Sequence, residues 1–183
     1  PTMYITILPF INALKKTMIM AFICIGSFLV YTLLLAIFNH TCIEPLLMLN
    51  PLISGFLHNG ASHFLINLLL FAGSMVCTIN SAYSIRYLYW LTVFISLLYL
   101  PISILGLTLP AIGISGLCYY LMVRALLTWN TRFNIGRIIF WILAISEVYG
   151  LMVLKDDVAH GVHLIGIGLG VYSLKNTKML KFQ

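Results

Sequence analysis

Of 183 residues, 62% are hydrophobic and only 8% charged, and the mean hydropathy is +1.07. A water-soluble domain carries roughly 25% charged residues, so a soluble fold is excluded and lipid is the expected solvent over most of the surface. The net charge of +6 does not indicate nucleic acid, because the basic residues lie between apolar runs and are not pooled on one segment.

The first apolar run predicts a membrane span over Thr17 to Phe38. It has full span length and no small-residue cleavage pattern after it, which argues against a signal peptide. The connection from Asn39 to Gly60 is long but rich in Leu, Ile and Phe, the composition of a segment lying in the membrane interface. Further spans are predicted over 62–78, 87–105, 115–129, 138–153 and 161–174, forming one all-α membrane domain over 1–183. With six spans, Lys15, Lys16, Arg86, Arg124, Arg132, Arg137, Lys175, Lys178 and Lys181 share one side. Only Lys155 falls opposite, beside Asp156 and Asp157. The positive-inside rule then predicts that both termini are cytoplasmic. Cys24, Cys77 and Cys118 fall in apolar runs and Cys42 in the long connection, with no CxxC pair; structural disulfides and thiolate metal sites are not expected.

The fourth span is short. From Ser115 to Trp129 it reaches about 22 Å at the helical rise, against a hydrocarbon core of ~30 Å. The uncharged segment before it, Gly106 to Ile114, carries Pro110 and Gly113. A loop dipping into the membrane accounts for both features, and non-helical backbone at that depth has to line a protein or water-filled cavity. Ser115 then begins a helix below the outer surface, flanked by Gly113 and Gly116. Glycine permits the turn and the close approach of a substrate chain, and the unpaired N–H groups of a helix start suit a developing oxyanion. The competing reading is a helix-capping serine, a common role for this residue type.

His163 opens the sixth span, and an ionisable residue inside a span is by default a functional hypothesis. Gly166 and Gly170 follow as a GxxxG face that admits a neighbouring helix at close range. Should that neighbour be the fourth span, the imidazole can act as general base to Ser115. Tyr119, one turn below Ser115, is placed to pack on the imidazole. His63 and Asn67 share a face of the second span, and both can donate hydrogen bonds to an oxyanion. His58 and His160 are read as ordinary partners of loop backbone. A histidine metal site is disfavoured, because no HExxH spacing occurs and the nearby acids lie in a loop. Glu147 is the one carboxylate inside a predicted span.

Taken together, Gly113-Ile114-Ser115-Gly116, the His163/Gly166/Gly170 pattern and His58-Asn59-Gly60-Ala61-Ser62-His63-Phe64-Leu65-Ile66-Asn67 resemble the motifs of the rhomboid intramembrane serine proteases in their minimal six-span bacterial form. The motifs occur in the family's order and cover nearly the whole chain. The resemblance implies a Ser115–His163 dyad and an oxyanion hole formed by His63, Asn67 and the Ser115 N–H. It also implies support of His163 by Tyr119, substrates that are transmembrane segments of other proteins in the bilayer, and a bacterial inner membrane. Lateral substrate entry beside the fifth span is implied too, with the loop at 155–159 as a cap. Leu49 and Asn50 stand where the family often has a Trp-Arg pair, and His160 where it often has Asn. No cofactor is expected. Asp156 and Asp157 are too solvated to orient His163, so a dyad and not a triad is predicted. Two other functions fit parts of the sequence: an inactive rhomboid-like client binder, and a histidine-lined metal or proton transporter, which calls for paired carboxylates within spans.

Overall fold

The computed structural model describes residues 7–38, 50–58, 60–77, 80, 82–105, 113–129, 134–154 and 159–179. Among the described residues the chain is all-helical, without strands. The helices are α1 (Ile7–Ile37), α2 (Pro51–Ser54), α3 (Ala61–Val76), α4 (Ile85–Ile104), α5 (Ser115–Thr128), α6 (Ile135–Val153) and α7 (His160–Met179). Most of the interfacial connection (39–49), the dip before Ser115 (106–112) and the cap loop with Asp156 and Asp157 (155–158) lie outside the described residues.

The helix bounds follow local chemistry. At α2 the Asn50 side chain accepts from the Leu52 N–H at 3.0 Å and Pro51 takes the first helical position, where its missing N–H costs nothing. Ser84 caps α4 by accepting from the Tyr87 N–H at 3.2 Å. The α1 helix starts about three turns before the predicted span and includes Lys15 and Lys16, because lysine is a good helix former whose stem can lie along apolar surface. For the same reason α7 runs past Leu174 through Lys175 to Met179.

Three stretches are long and apolar enough to cross a membrane: Phe10–Ile37, Ile85–Ile104 and Ile135–Val153. They carry exposed Phe22, Leu33, Trp90, Trp141 and Met152, an apolar exterior that water would not tolerate. The α3 helix is apolar but shorter, whereas α5 has 14 residues and α7 places polar residues in the interior. The α5 helix has the character of a packed interior and lies at the centre, touching α3, α4, α6 and, most extensively, α7. Six spans were expected; the described residues show an all-helical fold with three span-length helices.

Core packing joins Met20 and Cys24 of α1, Phe71 and Met75 of α3, Leu88 of α4 and Leu117, Tyr120 and Leu121 of α5. Phe56, just after α2, stacks on Tyr89 at 5.0 Å. Arg124 is buried in α5, above the Tyr83 ring at 5.1 Å and the Tyr120 ring at 5.7 Å, and it donates to Ser173. Cation–π contacts and a hydroxyl acceptor offset part of the cost of burying the charge. Asn80 ties two elements together by donating to the Ser74 carbonyl at 2.9 Å and the Leu121 carbonyl at 2.8 Å.

Candidate active site

Ser115 is the first residue of α5 and only 6% exposed. Its approach is fixed by Gly113, whose φ of 92° lies in the left-handed region that favours glycine. The Gly113 N–H donates to the Ser54 carbonyl at 3.0 Å, and a Cβ there would press on the Leu57 carbonyl and the His58 ring. The loop end is thus pinned to the segment after α2. The capping position of α5 is Ile114, and no side chain caps the helix. Ser115 therefore does not fill the capping role that was its alternative reading.

The α5–α7 seam is made close by glycine. A Cβ on Gly166 would fall 2.2 Å from the Gly116 carbonyl oxygen, and one on Gly116 would meet Val162 at 3.1 Å. One turn further, a Cβ on Gly170 would approach the Tyr120 carbonyl oxygen at 3.0 Å. The predicted GxxxG face thus packs on α5, and the helix start carrying Ser115 lies beside the turn carrying His163. The Tyr119 ring stacks on the His163 ring, with centroids 4.3 Å apart and planes 11° from parallel. Among the described residues no hydrogen bond joins Ser115 to His163; bonds of this kind often tighten only when substrate is present.

The expectation that no acid orients His163 does not hold. Glu147, on α6 and 6% exposed, accepts from His163 Nδ1 at 2.8 Å and from His160 Nδ1 at 2.7 Å, both on Oε2. Tyr119 donates its phenolic hydrogen to Oε1. An ionised carboxylate only accepts, which assigns the hydrogen of each neutral imidazole to Nδ1 and leaves a lone pair on His163 Nε2. That tautomer is the one a general base needs. His160 is likewise not the loop-backbone partner expected: it is the first residue of α7, and its ring lies where a Cβ on Gly150 would come within 2.3 Å of it. Glu147 and Gly150, and His160 and His163, are each three apart and so share a helix face. The carboxylate inside an apolar run was the one sequence signal for this cluster.

On the other side of α5, the Asn67 carbonyl accepts from Cys118 Sγ at 3.3 Å. Asn67 therefore faces α5 one turn below Ser115, with His63 one turn up its own helix. The Asn67 Nδ2 group is buried without a hydrogen-bond partner among the described residues, a donor lacking an acceptor. His63 packs against His58 at 5.2 Å. His58 Nδ1 donates to the Phe56 carbonyl at 3.2 Å, the loop-backbone role expected of it. Burial pushes the His58 pKa down to about 4, with His63 adding repulsion. A mostly apolar cavity of about 390 Å³ reaches His58, lined also by Cys24, Phe28, Phe56, Ala61 and Phe64.

The ligand atoms of Glu147, His160 and His163 all lie within 4.8 Å of one another, so the described residues do contain a set able to hold a metal ion. The reading that disfavoured metal looked for its carboxylate in the loop, whereas the carboxylate comes from α6. Comparison of the chain with protein-family models, curated proteins and solved structures gives no match.

Proposed function

We propose that this chain is an intramembrane serine endopeptidase of the rhomboid type, acting on transmembrane segments of other membrane proteins. The observation that carries the reading is the anchoring of His163 by Glu147 beside a buried helix-start serine. An exposed capping serine and a stray core histidine would need no such arrangement. On this reading α1, α3, α4, α5, α6 and α7 are the six spans, both termini are cytoplasmic, and the membrane is a bacterial inner membrane. The short α5 is accommodated inside the bundle.

In the mechanism, His163 Nε2 takes the Ser115 proton as Oγ attacks the scissile carbonyl. Negative charge developing on the carbonyl oxygen meets the Ser115 N–H and the donors of His63 and Asn67. His163, now cationic, is stabilised by the Glu147 carboxylate, and Tyr119 holds the plane of the ring. The imidazolium then protonates the leaving amine, giving an acyl-enzyme that His163-activated water hydrolyses. Glu147 makes this an acid-supported serine–histidine pair and not the bare dyad expected from sequence. Substrate helices must unwind locally to present a carbonyl, which favours segments weakened by Gly or Pro.

The test is cleavage of a reporter transmembrane segment in liposomes by wild type, Ser115→Ala and His163→Ala. Cleavage by wild type alone supports the reading. Equal cleavage by Ser115→Ala overturns it, and absence of cleavage by all three, with client binding retained, favours a non-catalytic client binder.

A further inference from the structure

Glu147, His160 and His163 have a second use of their chemistry. Two imidazole nitrogens and a carboxylate oxygen converge from two helices, with Nδ1 of each histidine within 2.8 Å of the same Oε2. Two histidines and one carboxylate are a ligand set suited to zinc, whose bonds to such atoms are about 2.0–2.2 Å. Seating an ion among them requires the two nitrogen–oxygen distances to lengthen by roughly half an ångström from their hydrogen-bonded values. The set is held in advance: Gly150 leaves room for the His160 ring, and Tyr119 stacks on His163 while bonding the other carboxylate oxygen. His160 has its side chain 12% exposed, a route by which an ion can reach the two more buried ligands.

We infer that Glu147, His160 and His163 form an inhibitory zinc site. An ion bound to Nδ1 takes the lone pair there, so the single hydrogen of the neutral His163 ring moves to Nε2. No net proton is lost, but Nε2, the nitrogen assigned the general-base role, becomes a donor and can no longer accept the Ser115 proton. Binding is independent of the proposed proteolysis, whereas inhibition rests on that reading.

The test uses the full chain in detergent micelles, titrated with Zn²⁺ and, as a spectroscopic probe, Co²⁺. Wild type and Ser115→Ala are expected to bind one ion per chain, with visible d–d absorption from Co²⁺. His160→Asn, which keeps a donor to Glu147 but is a poor ligand, is expected to weaken binding by about tenfold or more. Its cleavage, whatever the basal rate, should be the same with and without zinc, and chelation should restore the inhibited wild type. Zinc affinity unchanged in both His160→Asn and His160→Ala overturns the site, as does binding lost on His63→Ala and not on His160→Ala. Should wild type cleave nothing, the protease reading fails while the Co²⁺ spectrum and its dependence on His160 still decide the metal site.

Discussion

Replacing Gly166 with alanine inserts one methyl group at the closest point of the α5–α7 seam. The new Cβ would stand 2.2 Å from the Gly116 carbonyl oxygen and 3.0 Å from its carbon. The first distance is more than an ångström short of ordinary contact, and the obstacle is backbone, which no rotamer change can clear. The helices must separate or shift in register, at a cost of about 1–3 kcal/mol for overpacking. A functional effect of comparable size is expected beside the stability effect, because Ser115 rides on α5 and His163 on α7. A displacement of about 1 Å between reacting groups costs on the order of 10²-fold in rate. Gly168→Ala is the matched control: it lies on the same helix, with nothing within 4 Å of its Cβ. Reporter cleavage and thermal unfolding in the same detergent read the two effects separately. Gly166→Ala is expected to lose about 10²-fold in cleavage while staying folded at the assay temperature, with Gly168→Ala close to wild type. Indistinguishable behaviour of the two variants would refute the close seam and its role in aligning the site.

Glu147→Gln removes the carboxylate that fixes the His163 tautomer and is expected to lower kcat by about 10²–10⁴-fold with little change in KM; Glu147→Asp should recover part of the loss, and equal kcat for all three proteins would refute the role. His58 is neutral in the folded chain down to about pH 4, whereas its unfolded reference protonates near 6.5. The unfolded state thus binds the extra proton first, and stability present above pH 6.5 is lost as pH falls towards 4, by on the order of 2–3 kcal/mol from this residue. Thermal unfolding across that range should show a shallower dependence in His58→Phe, and an unchanged slope would count against a buried neutral His58. Asn80→Ala leaves the Ser74 and Leu121 carbonyls without their side-chain donor and is expected to cost about 2–3 kcal/mol in thermal or denaturant unfolding, with a loss under 0.5 kcal/mol arguing against the staple.

Much of the helical layout was legible because lipid-facing and core positions both demand apolar residues, and runs of them are broken by the basic residues and by the segment carrying Pro110 and Gly113. The helix start at Ser115 could be read from the shortness of the following run, and the close seam from Gly166 and Gly170. The role of Glu147 was not legible, since its partners lie 13, 16 and 28 residues away on two other helices and nothing in the local pattern orients one helix against another. His160 was assigned to loop backbone for the same reason. Its helix begins with it, and only the three-residue spacing to His163 hints at a shared face. The burial of Arg124 was not legible because a cation near the end of an apolar run usually reaches water, whereas here Tyr83, Tyr120 and Ser173 receive it in the interior.

The central claim is that Ser115 is a nucleophile activated by His163. Treating the chain in micelles with a fluorophosphonate probe and mapping the adduct by mass spectrometry tests it without a known substrate. A single adduct on Ser115 is expected, strongly reduced in His163→Ala and absent in Ser115→Ala. No adduct on Ser115 in folded wild type, or labelling of Ser115 undiminished by His163→Ala, would contradict it.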